Sequence, residues 1–415
     1  MKTNKQYTDI YVRCCAVGKR VSISTMYYES INYGGCLQAY ALNRVVSIMH
    51  NISCCETLQL DVSQEVVESR RNRIKNIFAT KGLLQGLFVL VGRVFRKLIY
   101  IICRRFFMKR FALRKAKFDL FREKMIPHSS KVYSNRNICE TVDAYDVFIT
   151  GSDQVWSTRW GGLLPLYWLS YVPSIKVKIA YAASISCLGF TDEESVIVKE
   201  YLADYDAISV REDESKILLD NVLKNDIDIY HTVDPTMLLT RDQWDEICPK
   251  RIIDGEYILA YLLEDSKHQR NTIMKYARHK NIKVVTLPHV KNDFRKCDVG
   301  FGDIKLYDIG PAEFVNLVKY SVQVFTDSYH GAIFAALFQR DFYAFKRKYN
   351  KGADPMDSRI YSLMNTLSIE SRVIDDNANP ADICKLTPIA YDFVDKKIEF
   401  YKSASLEFLA EALAK

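Results

Sequence analysis

The run Asp327-Ser328-Tyr329-His330-Gly331 sets an imidazole among turn-forming residues. It lies between an alternating β-branched stretch, Val322 to Thr326, and an apolar stretch of helix formers, Ala332 to Phe338. A strand that ends in a short polar turn and opens a helix presents backbone N–H groups at the positive end of the helix dipole. That arrangement suits an anion such as phosphate. A dianion docked there would favour a protonated His330 and leave a general acid beside it. Ser328, Tyr329 and Gly331 would line the same turn. The plainer alternative is a histidine that caps its own turn. The other histidines (His50, His128, His231, His268, His279 and His289) sit on expected helices or in mixed loops with no repeated motif.

Four further groups of residues have types suited to chemistry. Arg211 closes the expected strand Ala207 to Val210, where a planar guanidinium grips a carboxylate or phosphate in bidentate fashion or pairs with its neighbours Glu212 and Asp213. The turn Gly151-Ser152-Asp153-Gln154-Val155-Trp156 follows the expected strand Tyr145 to Thr150. There Asp153 orients an acceptor hydroxyl or caps the next turn. Trp156 and Trp160 stack on a sugar ring or pack in the core. Asn32-Tyr33-Gly34-Gly35 supplies two glycines where the backbone approaches something closely, or simply turns. Lys346, Arg347 and Arg359 add positive charge beyond the key helix, where surface solvation is the plainer fate, and Lys346 and Arg359 are the expected substrate contacts.

These residues need a frame. The expected strands Val21 to Met26, Tyr145 to Thr150, Val177 to Ala183 and Ala207 to Val210 alternate with helices at Leu37 to about His50 and Asp213 to Leu223. The rhythm restarts with strands Tyr257 to Leu262 and Lys283 to Leu287, and helices Ser266 to His279, Pro311 to Tyr320 and Ser358 to Thr366. Repeated β–loop–α units of this kind predict an α/β fold of two Rossmann-like domains facing a cleft. The predicted domains are 1–240 and 250–385, with a closing helix at 388–415.

At 415 residues the chain is too long for one hydrophobic core, and its 48% hydrophobic, 26% charged composition is that of a globular protein. Eleven cysteines, scattered and with neither CxxC nor zinc-like spacing, predict reduced thiols in a cytoplasm and no metal site. Gly18-Lys19 lacks the rest of a P-loop. The net charge of +8 is local: fifteen Lys or Arg and no Asp or Glu fall between Arg70 and Lys117, and without them the chain stands at −7. In that segment, part of a helical insertion at about 65–125, Arg93, Arg96, Lys97 and Arg104 fall on one side of a helical wheel. Val91, Phe95, Leu98 and Ile102 fall on the other. No run reaches the roughly 20 apolar residues needed to cross a bilayer. The pattern predicts a helix lying on an anionic membrane surface, or a hairpin packed on its own protein. Long aliphatic runs between the cations count against nucleic acid.

Taken together, the chain resembles the polysaccharide pyruvyl transferase family. The resemblance rests on Asn32-Tyr33-Gly34-Gly35-Cys36-Leu37-Gln38-Ala39-Tyr40-Ala41-Leu42, Gly151 to Trp156, Ser209-Val210-Arg211 with Glu212 to Ser215, Val233-Asp234-Pro235-Thr236, and Asp327 to Gly331 with Phe334. Arg340-Asp341 stands where the family usually carries proline. The resemblance implies a fold like that of GT-B glycosyltransferases and a reaction in which phosphoenolpyruvate gives a pyruvate ketal across two sugar hydroxyls. His330 would protonate the enol methylene, and Arg211 would hold the donor's anionic groups. The Asn32 loop and the Gly151 turn would line the cleft. No metal or cofactor is required beyond phosphoenolpyruvate as donor. A lipid-linked acceptor in bacterial surface polysaccharide biosynthesis, on the cytoplasmic face of the inner membrane, would give the basic segment a purpose. Two other readings stay open: a GT-B glycosyltransferase using a nucleotide sugar, and a non-catalytic membrane-associated scaffold.

Overall fold

The computed structural model describes residues 18–63, 101, 105–158, 162–187, 189–224, 226–290, 292, 294–346 and 358–415. Strands β1 (Lys19–Ser24), β2 (Ile52–Leu60), β3 (His128–Tyr133), β4 (Val147–Thr150), β5 (Val177–Ala183), β6 (Ala207–Val210) and β7 (Ile229–His231) form one sheet, ordered β3-β2-β1-β4-β5-β6-β7. Strands β8 (Tyr257–Tyr261), β9 (Lys283–Thr286), β10 (Ile304–Lys305), β11 (Gln323–Thr326), β12 (Asp341–Phe345) and β13 (Val373–Ile374) form a second, ordered β10-β9-β8-β11-β12-β13. Every pairing is parallel. The central strands β4 (VFIT) and β8 (YILAY) are buried at every position, as strands covered on both faces by helices must be.

The helices are α1 (Tyr33–Ser47), α2 (105–125), α3 (Asp192–Leu202), α4 (Asp213–Leu223), α5 (Arg241–Asp245), α6 (Lys267–Lys280), α7 (Pro311–Tyr320), α8 (Tyr329–Leu337), α9 (Ser358–Leu367), α10 (Pro380–Ile383) and α11 (Tyr391–Ala414). Strands β5 and β6 and helices α4 and α7 have the bounds expected from sequence. Two helices start earlier than expected, and both matter. Asn32 is itself the N-cap of α1, accepting from Gly34 N (3.1 Å), so Gly34 and Gly35 lie in the first helical turn rather than in a loop. Ser328 caps α8 by accepting from Gly331 N (3.3 Å), which puts His330 in that helix's first turn. A short oxygen-bearing side chain that satisfies an otherwise orphaned N–H starts a helix earlier than apolar periodicity alone suggests.

In each sheet the order reverses once, between β1 and β4 and between β8 and β11. The loops leaving the carboxyl ends of those strands are where an open α/β sheet binds ligands. The two sheets pack as one body. A single apolar cluster includes Val21, Tyr33 and Phe118 together with Tyr257, Phe314 and Phe334. Tyr33 Oη donates to Ile309 O across the boundary (2.9 Å). Helix α11 returns to the first sheet, where Lys19 Nζ donates to Leu413 O (2.8 Å) and Val233 N to Ser405 Oγ (3.0 Å).

In sequence, residues 61–127 separate the parallel neighbours β2 and β3. The helical-wheel residues from Val91 to Arg104 lie outside the described residues. Of the expected insertion, α2 is described, and one face of it packs on its own protein. Phe111, Arg114, Phe118, Phe121 and Arg122 recur at helical spacing and are buried. Arg114 donates to His289 O (2.6 Å) and Pro288 O (2.9 Å), Lys117 pairs with Glu313 (2.5 Å), and Arg122 donates to Ser30 O (2.5 Å). Helix α2 therefore straps the first unit to the second. Among the described residues, no helix is long and apolar enough to cross a membrane.

Candidate active site between the two sheets

The loops at both reversal points converge on a buried chain of charged groups. Arg211, just past β6, and Asp234, in the segment after β7, come from the first unit; His330 comes from α8 of the second. Arg211 Nη1 donates to Asp234 Oδ2 at 2.6 Å, and His330 Nε2 lies 3.3 Å from the same oxygen. That second contact is within ion-pair distance but off-line, and Nε2 has no aligned hydrogen-bond partner. Asp234 Oδ1 accepts from Thr236 N (3.0 Å) and Thr236 Oγ1 (2.7 Å), which fixes the carboxylate plane. Asp234 is fully buried. Burial would push its carboxyl up. The His330 and Arg211 charges and the Thr236 N–H outweigh it and hold the group well below the usual carboxylate range.

Arg211 has more partners than a substrate-gripping arginine would. Its Nε donates to Glu212 Oε1 (3.0 Å), its Nη2 lies 3.5 Å from Asp153 Oδ1, and its guanidinium carbon sits 4.4 Å from the Tyr329 ring centroid. Burial disfavours the charged guanidinium, but Glu212, Tyr329, Asp234 and Asp153 together hold it charged, with its pKa well above the ordinary arginine value. This corrects the expectation that Arg211 holds a substrate anion: with no exposed guanidinium and three carboxylates around it, Arg211 instead fixes Asp234. Burial likewise pushes the Tyr329 phenol well above its ordinary value, and the ring serves as a platform under Arg211.

Other expected site residues are gathered around this chain. Gly34 abuts the imidazole: a Cβ there would fall 2.0 Å from His330 Nδ1. Gly151 has φ +113°, and a Cβ would fall 2.1 Å from Tyr181 O, so only glycine fits. Ser152 Oγ lies 3.3 Å from Asp234 Oδ2, and Ser152 O accepts from Thr25 Oγ1 (3.0 Å). Gln154 holds a buried Nε2 without a hydrogen-bond partner. Asp153 is buried and forms a β-bridge with Ala183, the last residue of β5. Gly331 lies in the first turn of α8, one residue past His330.

Some expectations fail. Trp156 is fully buried, stacks on Trp168 (4.7 Å, 11°) and donates from Nε1 to Tyr167 O (3.2 Å), so it is core and no sugar platform. Tyr33 is sealed between Phe118 and Phe314, and burial pushes its phenol up to about 12; it joins the two units rather than meeting substrate. Lys346 pairs at the surface with Asp375 (2.8 Å). Arg359 is buried in α9, and its charge is felt at the Tyr329 phenol. Trp160 and Arg347 lie outside the described residues.

Asp234 is the residue that sequence reasoning missed. It entered only as part of Val233-Asp234-Pro235-Thr236, one of the stretches that carry the family resemblance. The available signal was an aspartate just before Pro-Thr, whose one oxygen caps the short turn while the other is left to face a cation. Among the described residues, no group of three or more His, Cys, Asp or Glu is arranged to hold a metal ion. A surface cavity lined by Met237, Arg241, Leu337, Asp395 and Lys402 runs beside α11, and none of the site residues lines it.

The chain matches the family model for polysaccharide pyruvyl transferase over residues 85–349. No curated protein matches it. Among solved structures it is similar to the UDP-GlcNAc 2-epimerase of Methanocaldococcus jannaschii (11% identity, 92% of each chain, TM-score 0.43). It is also similar to that of Neisseria meningitidis (11% identity, 93% of this chain and 94% of that one, TM-score 0.43). A third is ADP-heptose lipopolysaccharide heptosyltransferase II of Escherichia coli (10% identity, 92% and 99%, TM-score 0.34).

Proposed function

The chain belongs to the polysaccharide pyruvyl transferase family, and from that premise we propose that it moves the pyruvyl group of phosphoenolpyruvate onto two hydroxyls of a sugar as a ketal. The observation that carries this reading is His330: a buried imidazole in the first turn of α8, beside a carboxylate that Arg211 holds ionised. In the proposed reaction the enol π pair takes the His330 proton at C3, which becomes a methyl group and leaves an oxocarbenium-like C2. One sugar hydroxyl adds to C2 and its proton returns to the imidazole. The second hydroxyl then displaces phosphate from C2, and its proton leaves with the phosphate. The proton lent is returned, so no metal, redox partner or cofactor enters the sequence. The N-termini of α1 and α8 meet at Gly34 and His330, and the positive ends of their helix dipoles favour the donor's carboxylate and phosphate. Arg359 supplies the nearby fixed positive charge that Arg211 does not.

Phosphoenolpyruvate is expected to raise the unfolding midpoint by a few degrees, since a ligand at a hundred times its Kd stabilises by about 2.7 kcal/mol. Nucleotide sugars at the same concentration should not. The reverse order of protection overturns this reading in favour of a glycosyltransferase.

We further propose a lipid-linked acceptor at an anionic membrane surface, in surface polysaccharide biosynthesis. What supports it is the outer face of α2. Phe106, Lys109, Leu113, Ala116 and Leu120 repeat at helical spacing and are all exposed, Phe106 by 83%. Arg105 flanks this stripe, and the cation-rich segment precedes it. Deleting 70–118 would remove Arg114 and Phe118 and so unstrap the two units; point changes are the cleaner test. Replacing Phe106, Leu113 and Leu120 with Ser should release the protein from vesicles containing phosphatidylglycerol without lowering its unfolding midpoint. Equal sedimentation of variant and parent sinks the membrane proposal alone.

A further inference from the structure

The groups that face both ring nitrogens of His330 come from the other unit. Its ring stands edge-on to Tyr329 of its own helix (5.4 Å, 85°), but the groups that meet its nitrogens come from elsewhere. Nε2 faces Asp234 Oδ2 at 3.3 Å, and Nδ1 faces the backbone of Gly34 in α1. Behind Asp234 stands Arg211, itself bounded by Glu212 and Asp153, while Tyr329 carries the influence of Arg359. No carboxylate of the second unit is within ion-pair distance of the imidazole among the described residues. Asp327, the nearest in sequence, is turned away to accept from Leu263 N (2.6 Å) and Glu264 N (2.8 Å).

The contact with Gly34 is equally specific. An added Cβ would fall 2.0, 2.4 and 2.6 Å from Nδ1, Cγ and Cε1 of His330. Those atoms belong to a stiff ring wedged between helices, so they cannot swing aside as the end of a flexible chain can. The two units reach their present closeness only because residue 34 has no side chain.

We propose that Asp234 is the positioning residue for His330, its carboxylate set 3.3 Å from Nε2 across the boundary, and that Gly34, by lacking a side chain, lets the ring lie where that carboxylate acts on it. The acid is therefore built from both units: the second supplies the imidazole, and the first supplies the carboxylate that orients it. This deepens the pyruvyl-transfer reading and rests on it only for the identity of the reacting carbon.

The test is a double-mutant cycle with a spectroscopic readout. Asp234→Asn and Gly34→Ala are each expected to lower kcat by about a hundredfold, with KM for phosphoenolpyruvate changed far less. The double variant should be no slower than the slower single one, because both changes remove the same contact. In ¹⁵N-histidine-labelled protein without substrate, the neutral His330 ring should carry its proton on Nε2. The two single variants should show the same departure from that signature. Additive losses, or a wild-type spectrum with the proton on Nδ1, overturns the proposal. If Asp234→Asn does not fold, the wild-type spectrum and Gly34→Ala decide alone. If phosphoenolpyruvate is not a substrate at all, the spectra still report on the contact, so the two failures are distinguishable.

Discussion

Replacing His330 with Ala is expected to lower phosphate release from phosphoenolpyruvate about a thousandfold while the protein remains folded. The size follows from what a positioned general acid contributes, typically two to four powers of ten. Retention of fold follows from the packing. The ring lies at the boundary between units, Arg211 keeps Glu212 and Asp153 as partners, and Asp234 keeps Arg211 and Thr236. His330→Asn, which fills more of the space, should be as inactive as the alanine variant; a structural histidine would be largely rescued by it. In D₂O the parent enzyme should place one deuterium in the methyl group of each ketal, since C3 gains a proton held by an exchangeable nitrogen. If both variants turn over at the parent rate, the imidazole is not the donor. If no product forms with any protein while membrane recovery persists, the scaffold reading replaces the enzyme.

The parts of this site that could be read from sequence are those made by local chemistry. Ser328 and Asn32 are the cap residues of two helices, and Gly34 and His330 stand out beside them because glycine and histidine are unusual in a first turn. Strand β5 and helix α7 were legible to the residue, since an apolar run ended by polar residues and a proline in a first turn are local signals. Strand β2, ISCCETLQL, was not expected at all. Its polar Glu56 and Gln59 hide the apolar run, and their partners, Tyr145 Oη and Ser129 O, lie far off in sequence. Asp234 was illegible for the same reason. Its importance lies in Arg211 and His330, 23 and 96 positions away, and no pattern within a window of residues reveals a contact that only tertiary closure makes. Arg211 was misjudged on identical grounds: Glu212 was seen as an alternative partner, but Asp153 and Asp234 arrive from other strands.

Arg211→Leu is the sharper test of what that residue does. The substitution leaves Asp234, Glu212 and Asp153 buried around an apolar side chain. Breaking a buried ion pair from one side typically costs about 3–5 kcal/mol, so the unfolding midpoint should fall by many degrees at neutral pH. The pH dependence gives the sign. In the parent, Asp234 is held well below the usual carboxylate range, so its contribution to stability is present above about pH 4 and is lost only as pH falls through that depressed value. In the variant that cation is gone while His330 and the Thr236 N–H remain, so the Asp234 carboxyl is held down less strongly and gives up part of its contribution. The gap between variant and parent midpoints is therefore flat from pH 8 to 5 and narrows below about pH 4, where the parent loses the larger contribution. Arg211→Lys should fall between the two, since an ammonium keeps the charge but cannot reach Glu212 and Asp234 at once. A substrate-gripping arginine would behave otherwise: Arg211→Leu would melt with the parent at every pH and lose only its protection by phosphoenolpyruvate. That result would restore Arg211 to the donor and leave Asp234 without the partner that holds it ionised.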